Sequence, residues 1–234
     1  MYLKLLLVFL AVSYAAPLDD LVTAFPYIPG GKPDFEMYAG YLHIPNTSKY
    51  LHYVFVESQN DPTNDPLALW LTGGPGCSAE LGFLYEIGPW QFDIGSSDLI
   101  ENPYSWNKKA NMLFIDAPAG VGFSYYLDSE EANTNDYITA HDNLAALLAF
   151  FRKFPEYAFH DFYITGESYG GIYIPTLAYN IQLYNENTSS SRINLKGIAV
   201  GNGCTDWTVD CDPALMELAF SHALYGYDMY NNFT

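Results

Sequence analysis

Four nearly continuous apolar runs, each stopping at glycine or at an acidic residue and proline, constrain this chain more than any other feature. They are PLALWLTGG (66–74), NMLFIDAP (111–118), DFYITGES (161–168) and INLKGIAVGNG (193–203). Runs of this length without polar alternation suit strands buried on both faces of a mostly parallel sheet. An earlier run, KYLHYVFVES (49–58), is rich in β-branched and aromatic residues and reads as a further strand. Helical patterns lie between the runs. In DYITAHDNLAALLAFFRKFPEY, Leu144, Leu147, Leu148 and Phe151 follow i, i+3, i+4, i+7 spacing, and Pro155 ends the pattern. A second helix is expected from near Gly171 toward Tyr184, with Pro175 tolerated only in its first turn. Strands alternating with helices predict an α/β fold.

Half of the 234 residues are apolar, enough for one sizeable core. Twenty-seven acidic residues against nine basic ones, a formal charge of −18, argue against nucleic acid or an anionic membrane surface as a partner. The first 15 residues differ from the rest. MYLKLLLVFLAVSYA has one basic residue, an apolar stretch too short to span a bilayer, and small residues at Ser13 and Ala15. This is the pattern of a secretory signal peptide cleaved after Ala15, which predicts a secreted or lumenal mature chain. Export gives meaning to the glycosylation acceptors at Asn46, Asn187 and Asn232 and to the three cysteines, an odd number in an oxidising compartment.

Ser168 stands in GESYG (166–170), a G-x-S-x-G pattern after an expected strand and before an expected helix. Alone the pattern also occurs in ordinary turns. In this context it predicts a nucleophile elbow: flanking glycines permit a turn too tight for a Cβ, and the serine hydroxyl is lifted to a helix N-terminus where backbone N–H groups favour an oxyanion. The run LWLTGGPGCS (69–78) ends in a second glycine-rich turn. It contains no Lys or Arg, as a phosphate cradle would, and can supply the other oxyanion donor.

These segments, together with YAGYLHI, YEIGPW, NPYSWNKKANMLFIDAPAGVGFSY and FPEY in the same order, closely resemble the serine carboxypeptidases of the α/β-hydrolase fold. The resemblance implies Ser168 as nucleophile and the backbone N–H groups of Gly74 and Tyr169 as the oxyanion hole. It implies Glu167, Gly73 and Trp70 as parts of the subsite for a peptide's C-terminal carboxylate, with Glu86 sharing a hydrogen bond with Glu167. Thr72 stands in that subsite where the family usually has Asn. A hydroxyl offers one donor where an amide offers two, which keeps an acyltransferase or esterase on the same scaffold as the second reading. The implied substrate is a peptide or protein C-terminus, in a secretory, vacuolar or lysosomal setting, with no cofactor and no metal.

A serine nucleophile also needs a base and an acid to orient it, in chain order Ser, Asp or Glu, His on this fold. His222 is the one histidine after Ser168, and it lies in a helical pattern, LMELAFSHALYG. By resemblance the family's Asp and His fall beyond Thr234. The expected organisation is therefore a signal peptide at 1–15, the N-terminal part of the hydrolase domain at 16–205, and the start of an inserted cap region at 206–234. A catalytically dead binding protein is the third reading. The missing C-terminal half is the one protein partner expected. Cys204 and Cys211, seven residues apart, are close enough to pair with each other, and bridges to the absent region are the alternative. Cys77 resembles a family cysteine whose partner lies in that region.

Overall fold

The computed structural model describes residues 17–28, 30–92, 95, 98–189 and 192–233. The leader expected over residues 1–15 lies outside them. The strands are β1 (Met37–His43), β2 (Lys49–Val56), β3 (Leu67–Leu71), β4 (Trp90–Phe92), β5 (Leu99–Glu101), β6 (Asn111–Ile115), β7 (Tyr125–Tyr126), β8 (Phe162–Glu167) and β9 (Leu195–Gly201). The helices are α1 (Asp136–Lys153), α2 (Gly170–Asn187), α3 (Asp212–Ser221) and α4 (Tyr227–Phe233). Seven strands form one sheet in the order β1-β2-β6-β3-β8-β9, with β7 paired to β2. The β6-β3-β8-β9 pairs are parallel; β1, β2 and β7 are joined antiparallel. The fold is α/β, with a mixed and mostly parallel sheet.

The pleat sorts the apolar runs into two cores. Tyr53, Phe55, Leu67, Leu69, Leu113 and Ile164 face one side, where Leu147 and Phe150 of α1 and Leu177 and Ile181 of α2 cover them. Val54, Val56, Ala68, Trp70, Met112 and Phe114 face the other, under Phe83, Trp90 and Leu99. Burial on both faces is why β3 and β6 carry no polar alternation.

Three expectations are corrected. The last apolar run, β9, is largely exposed, because it pairs with β8 alone and no described strand covers its outer edge. The buried face of α1 extends beyond the Leu144–Phe151 stripe, which packs against the core and buries Leu147 fully. It runs through Thr139, Asp142, Asn143, Ala146, Leu147 and Phe150, while Leu144, Leu148 and Phe151 are half-buried. Asp142 is admitted to that face because Lys49 Nζ lies 2.8 Å from it. Pro175 is the sixth residue of α2, past the first turn. Its exposed ring costs the helix the bond that an N–H there would give to the carbonyl of Gly171.

Candidate active site

β8 runs straight into the elbow. Ser168 sits at φ 58°, a left-handed conformation uncommon outside glycine, and α2 begins two residues later. Backbone bonds hold the serine in place. Its N–H donates to the carbonyl of Gly201 at 2.9 Å, and its carbonyl accepts from Gly171 N at 3.0 Å and from Cys204 N at 2.8 Å. The tightness shows at Gly166, where a Cβ would stand 2.0 Å from the carbonyl oxygen of Leu71.

The glycine-rich turn after β3 lies directly against this elbow. A Cβ on Gly73 would be 2.4 Å from the backbone nitrogen of Tyr169 and 2.7 Å from Ser168 Cβ, so only glycine lets the two segments touch. Gly74 follows at φ 112°, exposed. The turn is braced by Cys77 N donating to the Gly73 carbonyl at 3.1 Å and by Gly76 N donating to Tyr173 Oη at 3.3 Å. Tyr169 is buried, and its hydroxyl donates to Asp136 at 3.0 Å.

The residues expected to hold a carboxylate gather at the same end of the sheet. Glu167 is half-buried beside Ser168. Partial burial first, and the charge of Glu167 second, push the carboxyl of Glu86 above its ordinary value. The two side chains therefore sense each other, although no described hydrogen bond joins them. Thr72 is buried and accepts the indole N–H of Trp70 at 3.0 Å, which fixes an oxygen lone pair and leaves the hydroxyl hydrogen to point elsewhere. The indole donor of Trp70 is thereby occupied.

The structure does not bring a histidine to Ser168. Among the described residues none of the five histidines is hydrogen-bonded to it, and His222 Nδ1 pairs with the Leu218 carbonyl of its own helix. Cys204 and Cys211 form a disulfide, Cα–Cα 5.1 Å, and Cys77 is free. Asn46, at φ 63° in the β1–β2 turn, Asn187 at the end of α2 and Asn232 on α4 are all exposed. Sequence reasoning missed Tyr173, whose hydroxyl braces the turn, and a cluster of buried Asp116 with half-buried His52 and Glu80. The signal for Asp116 was its place at the carboxyl end of a parallel strand, where α/β sheets put their sites.

A parallel sheet, a strained serine between strand and helix, and a glycine turn packed on it define an α/β hydrolase. The profile of the serine carboxypeptidase family matches residues 29–234. Over 224 residues the chain is 46% identical to the lysosomal protective protein of Mus musculus, covering 96% of this chain and 45% of that protein. It is 44% identical over 218 residues to the serine carboxypeptidase ctsa-4.1 of Caenorhabditis elegans, covering 93% and 45%. Among solved structures it matches Kex1(Δ)p, a prohormone-processing carboxypeptidase of Saccharomyces cerevisiae, with TM-score 0.71 and 26% identity, over 92% of this chain and 48% of that one. The chain belongs to the serine carboxypeptidase family. It spans less than half the length of these relatives.

Proposed function

We propose that the chain carries the acylation machinery of a serine-type carboxypeptidase acting on peptide or protein C-termini. Ser168 Oγ attacks the last peptide carbonyl, and the N–H groups of Gly74 and Tyr169 receive the oxyanion. The bond from Oγ to the acyl carbon forms, the C–N bond breaks, and the serine proton leaves on the departing amino acid. Glu167, Glu86, Thr72 and Gly73 hold the substrate carboxylate, with Trp70 behind Thr72. The observation that best supports this reading is the close approach of Gly73 to Ser168 and Tyr169, which packs the glycine-rich turn against the nucleophile elbow.

The base that activates Ser168, and its acidic partner, belong in this reading to the part of the family's length that the chain does not span. Residues 16–205 are the N-terminal part of the hydrolase domain, and the segment 206–234 opens the cap insertion. The setting is the secretory pathway, secreted or vacuolar or lysosomal, with Asn46, Asn187 and Asn232 as glycan acceptors. An acyltransferase or esterase is the second reading, supported by Thr72 in place of an amide.

The test is release of the C-terminal amino acid from an N-blocked dipeptide. A chain extended in frame to the family's length should turn over and lose activity on Ser168→Ala. The 234-residue chain should be slower by roughly four decades, the usual cost of losing a triad partner. Turnover by the 234-residue chain that Ser168→Ala abolishes would overturn the missing-base reading. Acyl transfer to an added alcohol in preference to water, with no release from peptides, would favour the second.

A further inference from the structure

The carboxyl end of β6 carries a cluster that neither the nucleophile nor the carboxylate subsite uses. Asp116, 1% exposed, has its acceptor positions filled. Its Oδ1 accepts from Ser78 Oγ at 2.6 Å and from Ala79 N at 2.8 Å. Its Oδ2 accepts from Phe123 N at 2.9 Å and faces His52 Nδ1 at 3.3 Å. Glu80 lies 3.5 Å from the same nitrogen. A cation bound here would have to displace donors that Asp116 already holds, so the cluster is a hydrogen-bond network rather than a metal site.

The network joins three segments around the carboxyl end of β6, one of which carries the proposed oxyanion donor. Ser78 and Ala79 close the turn that opens at Gly73, Phe123 belongs to the loop after β6, and His52 lies on β2. Gly74 itself is exposed and left-handed, so its direction depends on how the turn is anchored at both ends. One end rests on the elbow through Gly73; the other is tied to the sheet through Asp116.

We propose that Asp116 is a positioning residue for the oxyanion donor, its carboxylate pinning Ser78 and Ala79 so that the N–H of Gly74 is aimed before substrate arrives. This rests on the assignment of Gly74 as a donor. An oxyanion hole works because its donors need no reorganisation at the moment of reaction, and a turn free to rock would forfeit that. The charge matters as well as the shape. Burial alone would raise the Asp116 carboxyl, but bonds from His52, Ser78, Phe123 and Ala79 outweigh it and hold the group below its ordinary range, as an anion. Burial pushes Glu80 up to about 7, with the charge of Asp116 adding to the rise and His52 opposing it. In acid Glu80 is therefore neutral and leaves His52 to Asp116.

Cys77 lies inside the turn and is the free thiol, Cys204 and Cys211 being joined, so its labelling rate reports the turn without any need for turnover. In the 234-residue chain, Asp116→Asn should speed reaction of Cys77 with a disulfide reagent, and amide exchange at Gly76 and Cys77, whose N–H groups are bonded within the turn, on the order of tenfold or more, as expected for a lost charge-assisted anchor. Ser78→Ala should speed both by about threefold to tenfold, and Ser78→Thr, which keeps the hydroxyl, should restore the original rates. Amide exchange in β3 and β8 should not change. Unaltered rates in folded Asp116→Asn, or equal rates in Ser78→Ala and Ser78→Thr, would overturn the proposal. If Asp116→Asn does not fold, the Ser78 pair decides. A chain found to lack peptidase activity would leave this result standing, since no step of it depends on catalysis.

Discussion

Ser168 shows what a single residue gives up for its place. A non-glycine residue in the left-handed region costs about 1–2 kcal/mol, and three backbone bonds, one to Gly201 and one each from Gly171 and Cys204, keep it there. The elbow was legible because its requirement is written as glycines. The hydrogen bond from Trp70 to Thr72 was not, since spacing says nothing about which way an indole turns. Glu86 carries the pH behaviour of the proposed subsite. Its carboxyl is raised above the ordinary glutamate value, by partial burial and by the charge of Glu167, and in the proposed subsite its proton would be donated to a ligand carboxylate. As pH climbs through that raised range the proton leaves, and carboxylates then face carboxylate. Affinity for an N-blocked amino acid should be flat in acid and then weaken by about tenfold per pH unit, the slope of a single lost proton. Glu86→Gln should flatten the curve. Calorimetric titration across the range checks this, and an affinity indifferent to pH in the unmodified chain would remove Glu86 from the subsite.

At the scale of elements, α1 illustrates what hydropathy can and cannot place. Its C-terminal limit was readable, because Pro155 follows its end, whereas its start rests on Asn135, an N-cap that accepts from Ile138 N at 2.9 Å. The rest of its buried face was not readable, because Asp142 and Asn143 look like surface residues until Lys49 of β2 is known to lie opposite. Both members of that pair are less than a tenth exposed. Asp142→Ala would strand a buried ammonium and should cost about 3–5 kcal/mol, measured by urea denaturation. Replacing Lys49 and Asp142 together with Met and Leu should recover most of the loss; a double variant as unstable as the single one would show that the pair does more than neutralise itself. β9 was misjudged for a related reason. Its sequence records a strand suited to burial, and burial depends on neighbours that a local pattern does not contain.

For the molecule as a whole, the outer edge of β9 and the helical segment after it expose Ile198, Val200, Trp207, Val209, Leu215 and Leu218. Exposed strand edges and apolar patches promote self-association, while a charge of −18 opposes it. The purified chain should be driven to oligomers by salt or by acid near its isoelectric point of about 4.3, and Ile198→Lys with Val200→Lys should reduce this, as read by light scattering on a sizing column. Monomers under all conditions would mean that the edge is protected by something other than charge. The bonds at Ser168 also bear on how the protein is made. A ribosome delivers the chain N-terminus first, so β1, β2, β3 and β6 can pair once Ile115 has emerged. Ser168 emerges later still, and its anchors at Gly201 and Cys204 later again. While it is being synthesised the chain carries its serine in an unset elbow, and that elbow is among the last parts of this segment to lock.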